Sequence, residues 1–202
     1  YRVDKITGSQ GFDAFEKIAA KFQENPMEFK QQFMTSHESP VVTKEMNPKV
    51  IKLWEEFQNL REQGKYEDII RCMDSIINLD PKSSPALHVK GSMLHHLDRH
   101  EESLKCFDKA LELDENQTLP WFNKGNALGA SGKPEEAIKC YDKAIELDPK
   151  HVKSWNNKGY TLDGLDKKEE ALECFDKAIE LNPKYTNAWN NKGSTLDDLG
   201  KK

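Results

Sequence analysis

No stretch of this 202-residue sequence approaches the roughly 18 uninterrupted apolar residues that a membrane-spanning helix requires. No short apolar run behind a basic start marks the amino terminus as a secretion signal. The chain therefore reads as soluble, with a cytoplasmic location expected and no membrane partner. Apolar residues are scarce at 36%, charged residues make up 32% and the mean hydropathy is -0.84, which is more polar than an ordinary globular domain. Excess positive charge is missing as well: 30 Lys and Arg face 35 Asp and Glu, a net charge of -5 with a pI near 5.8. A global basic field that would draw nucleic acid is thereby excluded. The sequence also lacks a phosphate-cradling glycine loop, a nucleophile set with its base, and a helical His-Glu-His metal motif. No catalytic residue, cofactor or metal is expected, and the chain reads as a non-enzyme. It begins at Tyr1 rather than Met, so it reads as a segment of something longer.

Cysteine is sparse and regular. Cys72, Cys106, Cys140 and Cys174 stand 34 residues apart, which places them at one equivalent position on successive helices at least about 8–10 Å apart. That separation exceeds the roughly 7 Å limit between the Cα atoms of a disulfide. They read as small packing residues carrying free thiols, consistent with a reducing compartment.

The same period runs through the rest of the chain. CFDKALELD at 106–114, CYDKAIELD at 140–148 and CFDKAIELN at 174–182 repeat, with a weaker CMDSIINLD at 72–80; HVKGSML at 88–94, FNKGNAL at 122–128, NNKGYTL at 156–162 and NNKGSTL at 190–196 keep step with them. Each copy reads as two helices. Trp121, Gly125 and Leu128 fall at helical spacing, Ser131-Gly132-Lys133-Pro134 breaks the pattern, and Ala137, Ile138, Tyr141, Ala144 and Ile145 form the apolar stripe of a second helix. Pro149 ends that helix. Gly91, Gly125, Gly159 and Gly193 lie mid-helix, where glycine costs roughly 1 kcal/mol relative to alanine, so the spacing predicts close approach of another backbone. Ala110, Ala144 and Ala178 would supply the matching small surface. Leu87, Trp121, Trp155 and Trp189, with Phe107, Tyr141 and Phe175, are expected between paired helices. One pair cannot bury its apolar face alone, so neighbours must stack, which accounts for folding with so little apolar content.

These residues resemble the tetratricopeptide repeat (TPR) family, whose 34-residue units carry W-x2-L-G-x2-Y…A-x3-F…P. Here the pattern reads Trp121-x2-Lys124-Gly125-x2-Leu128…Ala137-x3-Tyr141…Pro149 and Trp155-x2-Lys158-Gly159-x2-Leu162…Ala171-x3-Phe175…Pro183. Departures are Lys90, Lys124, Lys158 and Lys192 for Leu, Leu for Tyr in the next column, Ser103 for Ala and Glu115 for Pro. Lysine stems can cover apolar surface while the ammonium stays wet. The resemblance implies an all-α solenoid of antiparallel helix pairs wound into a right-handed superhelix. Its units are expected at 50–83, 84–117, 118–151 and 152–185, with a half unit at 186–202 and an atypical first copy that holds Phe57 in the glycine column. The chain stops at Lys202, which reads as either a continuing array or an end covered by another chain.

The head at 1–49 does not follow the period. Phe12, Phe15, Ile18, Ala19 and Phe22 read as one amphipathic helix, Phe29, Phe33 and Met34 as a second, and 35–45 as a linker. Those helices are expected to cap the first repeat, or to dock in the groove or on a second chain.

For function, the resemblance implies a non-enzymatic scaffold that binds a protein or peptide segment on the concave face lined by the first helix of each unit. The columns so implied contain His88, Phe122, Asn156 and Asn190; Asn123, Asn157 and Asn191; and Ser92, Asn126, Tyr160 and Ser194. Asn123, Asn157 and Asn191 would form a ladder of amides able to donate to and accept from a peptide backbone. The carboxylate clamp that some relatives use on chaperone tails maps onto His88, Ser92, Asn123, Lys153 and Asn157, so one Asn and one Lys match and two cations are absent. Alternatives are an adaptor portion of a longer, possibly enzymatic protein, or self-association through the head or the last helix. His96 and His100 sit at a metal-capable i, i+4 spacing, but no third ligand accompanies them, and a solvated or peptide-contacting role is expected.

Overall fold

The computed structural model describes residues 47–200; the head, with its expected helices and docking alternatives, lies outside the described residues up to Met46. Nine helices and no strand occur among the described residues. In chain order they are α1 Pro48–Glu62, α2 Tyr66–Leu79, α3 Ser84–His96, α4 His100–Leu113, α5 Thr118–Ala130, α6 Pro134–Leu147, α7 Val152–Gly164, α8 Lys168–Leu181 and α9 Thr186–Asp198. Every helix packs on the next in sequence, giving a TPR-type all-α solenoid of antiparallel pairs. Asn47 opens it as an N-cap, its Oδ1 accepting from the Lys49 N–H at 3.0 Å, with Pro48 at the first helical position.

Two recurring turns set the geometry. After the first helix of each unit, one residue adopts a left-handed backbone: Gly64 (φ 65°), Asp98 (58°), Gly132 (74°), Asp166 (61°) and Gly200 (65°), spaced 34 apart. The following N–H then reaches back to a leucine carbonyl, as in Lys65 to Leu60, Arg99 to Leu94, Lys133 to Leu128 and Lys167 to Leu162, at 2.9–3.1 Å. This is the Schellman closure of a helix end. Asp serves where Gly is missing because its short polar side chain tolerates that conformation better than most.

Between pairs, the side-chain oxygen of Asp80, Asp114, Asp148 or Asn182 accepts from the N–H two residues on, at 3.0–3.2 Å. That Asx turn explains why Glu115 can replace the helix-stopping proline: the acid before it already turns the chain.

The glycine column works differently from the expectation of approaching backbones. A Cβ on Gly91 would stand 2.8 Å from a ring carbon of Phe107, on Gly125 2.6 Å from Tyr141, and on Gly159 2.7 Å from Phe175. What fills the space is mainly an aromatic edge from the second helix of the same pair. At Gly159 a backbone atom, the Ala171 carbonyl oxygen at 3.0 Å, comes nearly as close as the ring does. Phe107 and Phe175 are fully buried and Tyr141 nearly so. Burying each ring contributes on the order of 1.5–3 kcal/mol.

Trp121 and Trp155 lie against the core of their own pair, as expected. Trp121 and, from the preceding unit, Leu104 pack against the buried cluster around Leu128 and Tyr141, and Trp155 with Ile138 against the cluster around Leu162 and Phe175. Their indole N–H groups donate to the carbonyls of Glu115 and Pro149, and that of Trp189 to Pro183, at 2.8–3.0 Å. The indoles therefore anchor the three units that carry them to the loop before each. Trp189 is 51% exposed, and a Cβ on Gly193 would meet nothing.

Gly125→Ala and Gly193→Ala should shift stability in opposite directions. Both gain roughly 1 kcal/mol of helix propensity, but at Gly125 the ring must be displaced, at a cost of roughly 1–3 kcal/mol. Urea midpoints should fall for the first and rise for the second. An equal rise at both would show that the ring does not set the helix spacing.

Candidate functional site

The first helices of successive units, α3 with α5, α5 with α7 and α7 with α9, touch one another, whereas the second helices of successive units do not. The stack therefore curves with α3, α5, α7 and α9 on its inner side.

On that inner side the candidate residues are joined into a relay. Asn123 Nδ2 donates to His88 Nε2 at 2.7 Å and lies 3.3 Å from Ser92 Oγ. Asn157 Nδ2 donates to Asn126 Oδ1 at 2.9 Å, and the Tyr141 hydroxyl donates to the same oxygen at 3.0 Å. Asn191 Nδ2 donates to Asn156 Oδ1 at 3.0 Å, while Asn156 Nδ2 donates to Asn157 Oδ1 at 3.1 Å. Each column asparagine thus ties its helix to the first helix of the unit before. Asn123, Asn157 and Asn191 are expected to face a ligand; at least one amide N–H of each is already engaged within the protein.

Exposure separates the other residues. His88, Phe122 and Asn156 are buried at 8%, 6% and 5%, which moves them from ligand contact to support beneath the surface. The His88 ring lies 5.9 Å from that of Phe107, and Phe122 meets His151 edge-on at 5.0 Å and Tyr141 at 6.1 Å. Asn123, Asn126, Asn157, Asn191, Ser92 and Lys153 are half-buried, while Asn190 and Ser194 are exposed. Tyr160 stands out at 59% exposure.

Burial lowers the His88 pKa to about 4, so its imidazole is neutral near pH 7 and its Nε2 is an acceptor for Asn123. No cation stands where the carboxylate clamp has its first lysine. Burial likewise raises the Tyr141 hydroxyl pKa, keeping it a donor to Asn126. The four cysteines are free and buried, and desolvation raises all four thiols, Cys72, Cys140 and Cys174 to about 11. They are protonated packing groups. Among the described residues no group of three His, Cys, Asp or Glu side chains could hold a metal ion, and no helix is long and apolar enough to cross a membrane.

The columns of lysine have partners that residue-by-residue reading missed. Lys90 pairs with Asp74, Lys124 with Asp108 at 2.6 Å, Lys158 with Asp142 at 2.6 Å and Lys192 with Asp176 at 2.5 Å. Every pair spans the junction from a second helix to the next first helix. Lys124 and Lys158 also lie over the Trp121 and Trp155 rings at 5.4 and 6.0 Å. Partly exposed pairs of this kind contribute roughly 0.2–1 kcal/mol each. The signal was available: the aspartates recur at the same 34-residue period, 16 residues before each lysine.

Family models described as tetratricopeptide repeat match residues 84–117, 119–151, 152–185 and 174–202. No curated protein matches the sequence. Among solved structures, the chain is similar to MamA 41-end from Desulfovibrio magneticus RS-1, with TM-score 0.71 and 20% identity over 77% of this chain and 88% of that one. It is also similar to another MamA crystal structure, with TM-score 0.66 and 19% identity over 71% and 84%. A third similar structure is the first TPR of Spaghetti (RPAP3) bound to the HSP90 peptide SRMEEVD, with TM-score 0.58 and 22% identity over 60% and 97%.

Stability should depend on pH through the inner-side histidine and its neighbour in the helix turn. His88 and His95 have pKa values lowered from 6.5 to about 4, in both cases chiefly by burial. Between those values the unfolded chain binds protons that the folded chain refuses. Stability is therefore full above about pH 6.5 and falls as pH drops toward 4. Thermal melts across this range should show the decline, and His88→Gln should make it shallower. A slope unchanged by the substitution would mean that His88 is not held neutral.

Proposed function

Because the chain belongs to the tetratricopeptide repeat family, we propose that it is a protein-interaction module that holds an extended peptide segment along the side lined by α3, α5, α7 and α9. The observation that carries this reading is the exposure of Tyr160 at 59% on α7, between the amide-bearing α5 and α9. A tyrosine there offers an apolar face and a hydroxyl to a chain lying across it. The amide ladder contributes what its internal bonds leave over. A primary amide has two N–H donors and one oxygen, so Asn157 and Asn191 each retain one N–H for a ligand backbone, while both donors of Asn123 are engaged by His88 and Ser92 and only its oxygen is left for a ligand. Asn190 and Ser194 add exposed polar groups at one end and Lys153 a positive charge near the middle, while His88, Phe122, Asn126 and Asn156 hold the surface from beneath.

This surface favours a peptide interior over a free carboxyl terminus. The clamp positions at His88 and Asn157 are a neutral buried imidazole and an amide, so a terminal carboxylate would find Lys153 as its one cation. The acidic peptide in the Spaghetti complex is therefore not the ligand class proposed for this chain.

Peptides selected from a random display library on the full chain provide the test. Tyr160→Ala should reduce their affinity about tenfold, and Asn190→Ala by the roughly 0.5–1.5 kcal/mol of one hydrogen bond, each with an unchanged melting curve. Asn157→Ala should lower stability as well as affinity, because it unties α7 from α5. Selected peptides indifferent to Tyr160, Asn190 and Ser194 but sensitive to substitutions on α4, α6 or α8 would overturn the reading.

A further inference from the structure

Two histidines that the sequence does not pair meet at the turn between α3 and α4. His95 lies in the last turn of α3 and His100 is the first residue of α4. Their Nδ1 atoms stand 3.2 Å apart, with ring centroids at 5.0 Å. The turn fixes them from both sides: the Asp98 N–H donates to the His95 carbonyl at 3.1 Å and the Arg99 N–H to the Leu94 carbonyl at 2.9 Å, around the left-handed Asp98. The i, i+4 partner His96 instead stacks on Tyr66, with ring centroids at 5.5 Å, because the helix ends before His100 and rotates that residue toward His95.

The separation suits a shared ion. Two imidazole nitrogens each about 2.0–2.1 Å from one metal stand roughly 2.9 Å apart at a right angle and roughly 3.4 Å apart at the tetrahedral angle, and 3.2 Å falls between. Asp98 lies on the far side of the ring, its Oδ1 3.8 Å from His100 Nε2. A carboxylate there favours the proton on Nε2 and leaves the Nδ1 lone pair directed at His95. At 3.8 Å the carboxylate acts through its charge rather than a hydrogen bond, on the side of the ring where outer-shell partners of metal-bound histidines stand. The His100 side chain is 21% exposed and Asp98 93%, so water can reach the pair. We propose that His95 and His100 form a two-imidazole site for a late first-row divalent cation of the zinc and copper class, with water completing the coordination. Imidazole is a suitable ligand for such ions and a poor one for magnesium or calcium.

Titration of the full chain with Zn2+ alone, followed through the histidine ring nitrogens by NMR, tests this. One equivalent should shift His95 and His100 together and leave His96 in place. His95→Ala and His100→Ala should each weaken binding at least tenfold. Asp98→Asn, which keeps the left-handed turn accessible, should weaken it roughly tenfold through the lost outer-shell charge, while His96→Ala should not change it. His100→Gln, a milder change at the helix start, repeats the test with a folded chain if the alanine variants lose helicity. Absence of saturable binding at millimolar Zn2+ would mean that the two rings share a hydrogen bond only, and would overturn the proposal. Saturation that persists in His100→Gln would overturn it equally.

Discussion

The packing of one aromatic ring onto one glycine decides how closely the two helices of each pair approach. Phe107 on Gly91, Tyr141 on Gly125 and Phe175 on Gly159 leave no room for a methyl group. With the ring seated there, the Schellman turn closes each hairpin and the small residues Ala110, Ala144 and Ala178 are completely buried. The helix interior tolerates the conformational cost of glycine because the alternative is displacement of a buried ring. Tyr141 adds a second function to this contact. Its hydroxyl passes through the pair and donates to Asn126, so the core contact of one unit is bonded to the amide relay on the inner side.

Pairs are joined by interactions of a different kind. On one side of each junction a lysine meets an aspartate of the preceding unit, and at the last three an indole N–H caps the loop between them. Across the inner side an asparagine reaches back to the preceding first helix. None of these bonds is individually strong; the Lys–Asp pair recurs at all four junctions, and the indole and asparagine bonds at the last three. A chain with modest apolar content can use such a scheme because each unit buries its rings locally, and a few apolar side chains such as Leu104 and Ile138, with these polar contacts, fix register with the next. The inner-side amides therefore have two duties, holding adjacent helices together and presenting their remaining polar atoms outward. The two duties limit each other, since an amide proton used within the protein is withdrawn from a ligand.

Period and pattern made much of this fold legible. The columns of Gly, aromatic, Ala and Pro identify the helix pairs, because helical periodicity and turn chemistry are local properties. The rings opposite the glycines were legible as residues but not as the object that fills the gap, since distance between helices is not written in either helix alone. Asp98 and Asp166 in the left-handed turn column were recoverable by aligning the repeats, where they fall in register with Gly64, Gly132 and Gly200. The Lys and Asp columns were likewise visible as two periods, but their pairing depends on which helix faces which.

The sequence by itself determined that this is a stack of 34-residue helix pairs, that its cysteines are packing residues, and that its inner columns are rich in amides. Only the tertiary structure decided which of those amides are already bonded, that His88, Phe122 and Asn156 lie beneath the surface rather than on it, and that His100 meets His95 rather than His96. The reason is physical. Helical spacing assigns a residue to a face, whereas burial and hydrogen-bond partners depend on the rotation and approach of the next helix, which are settled by packing between units.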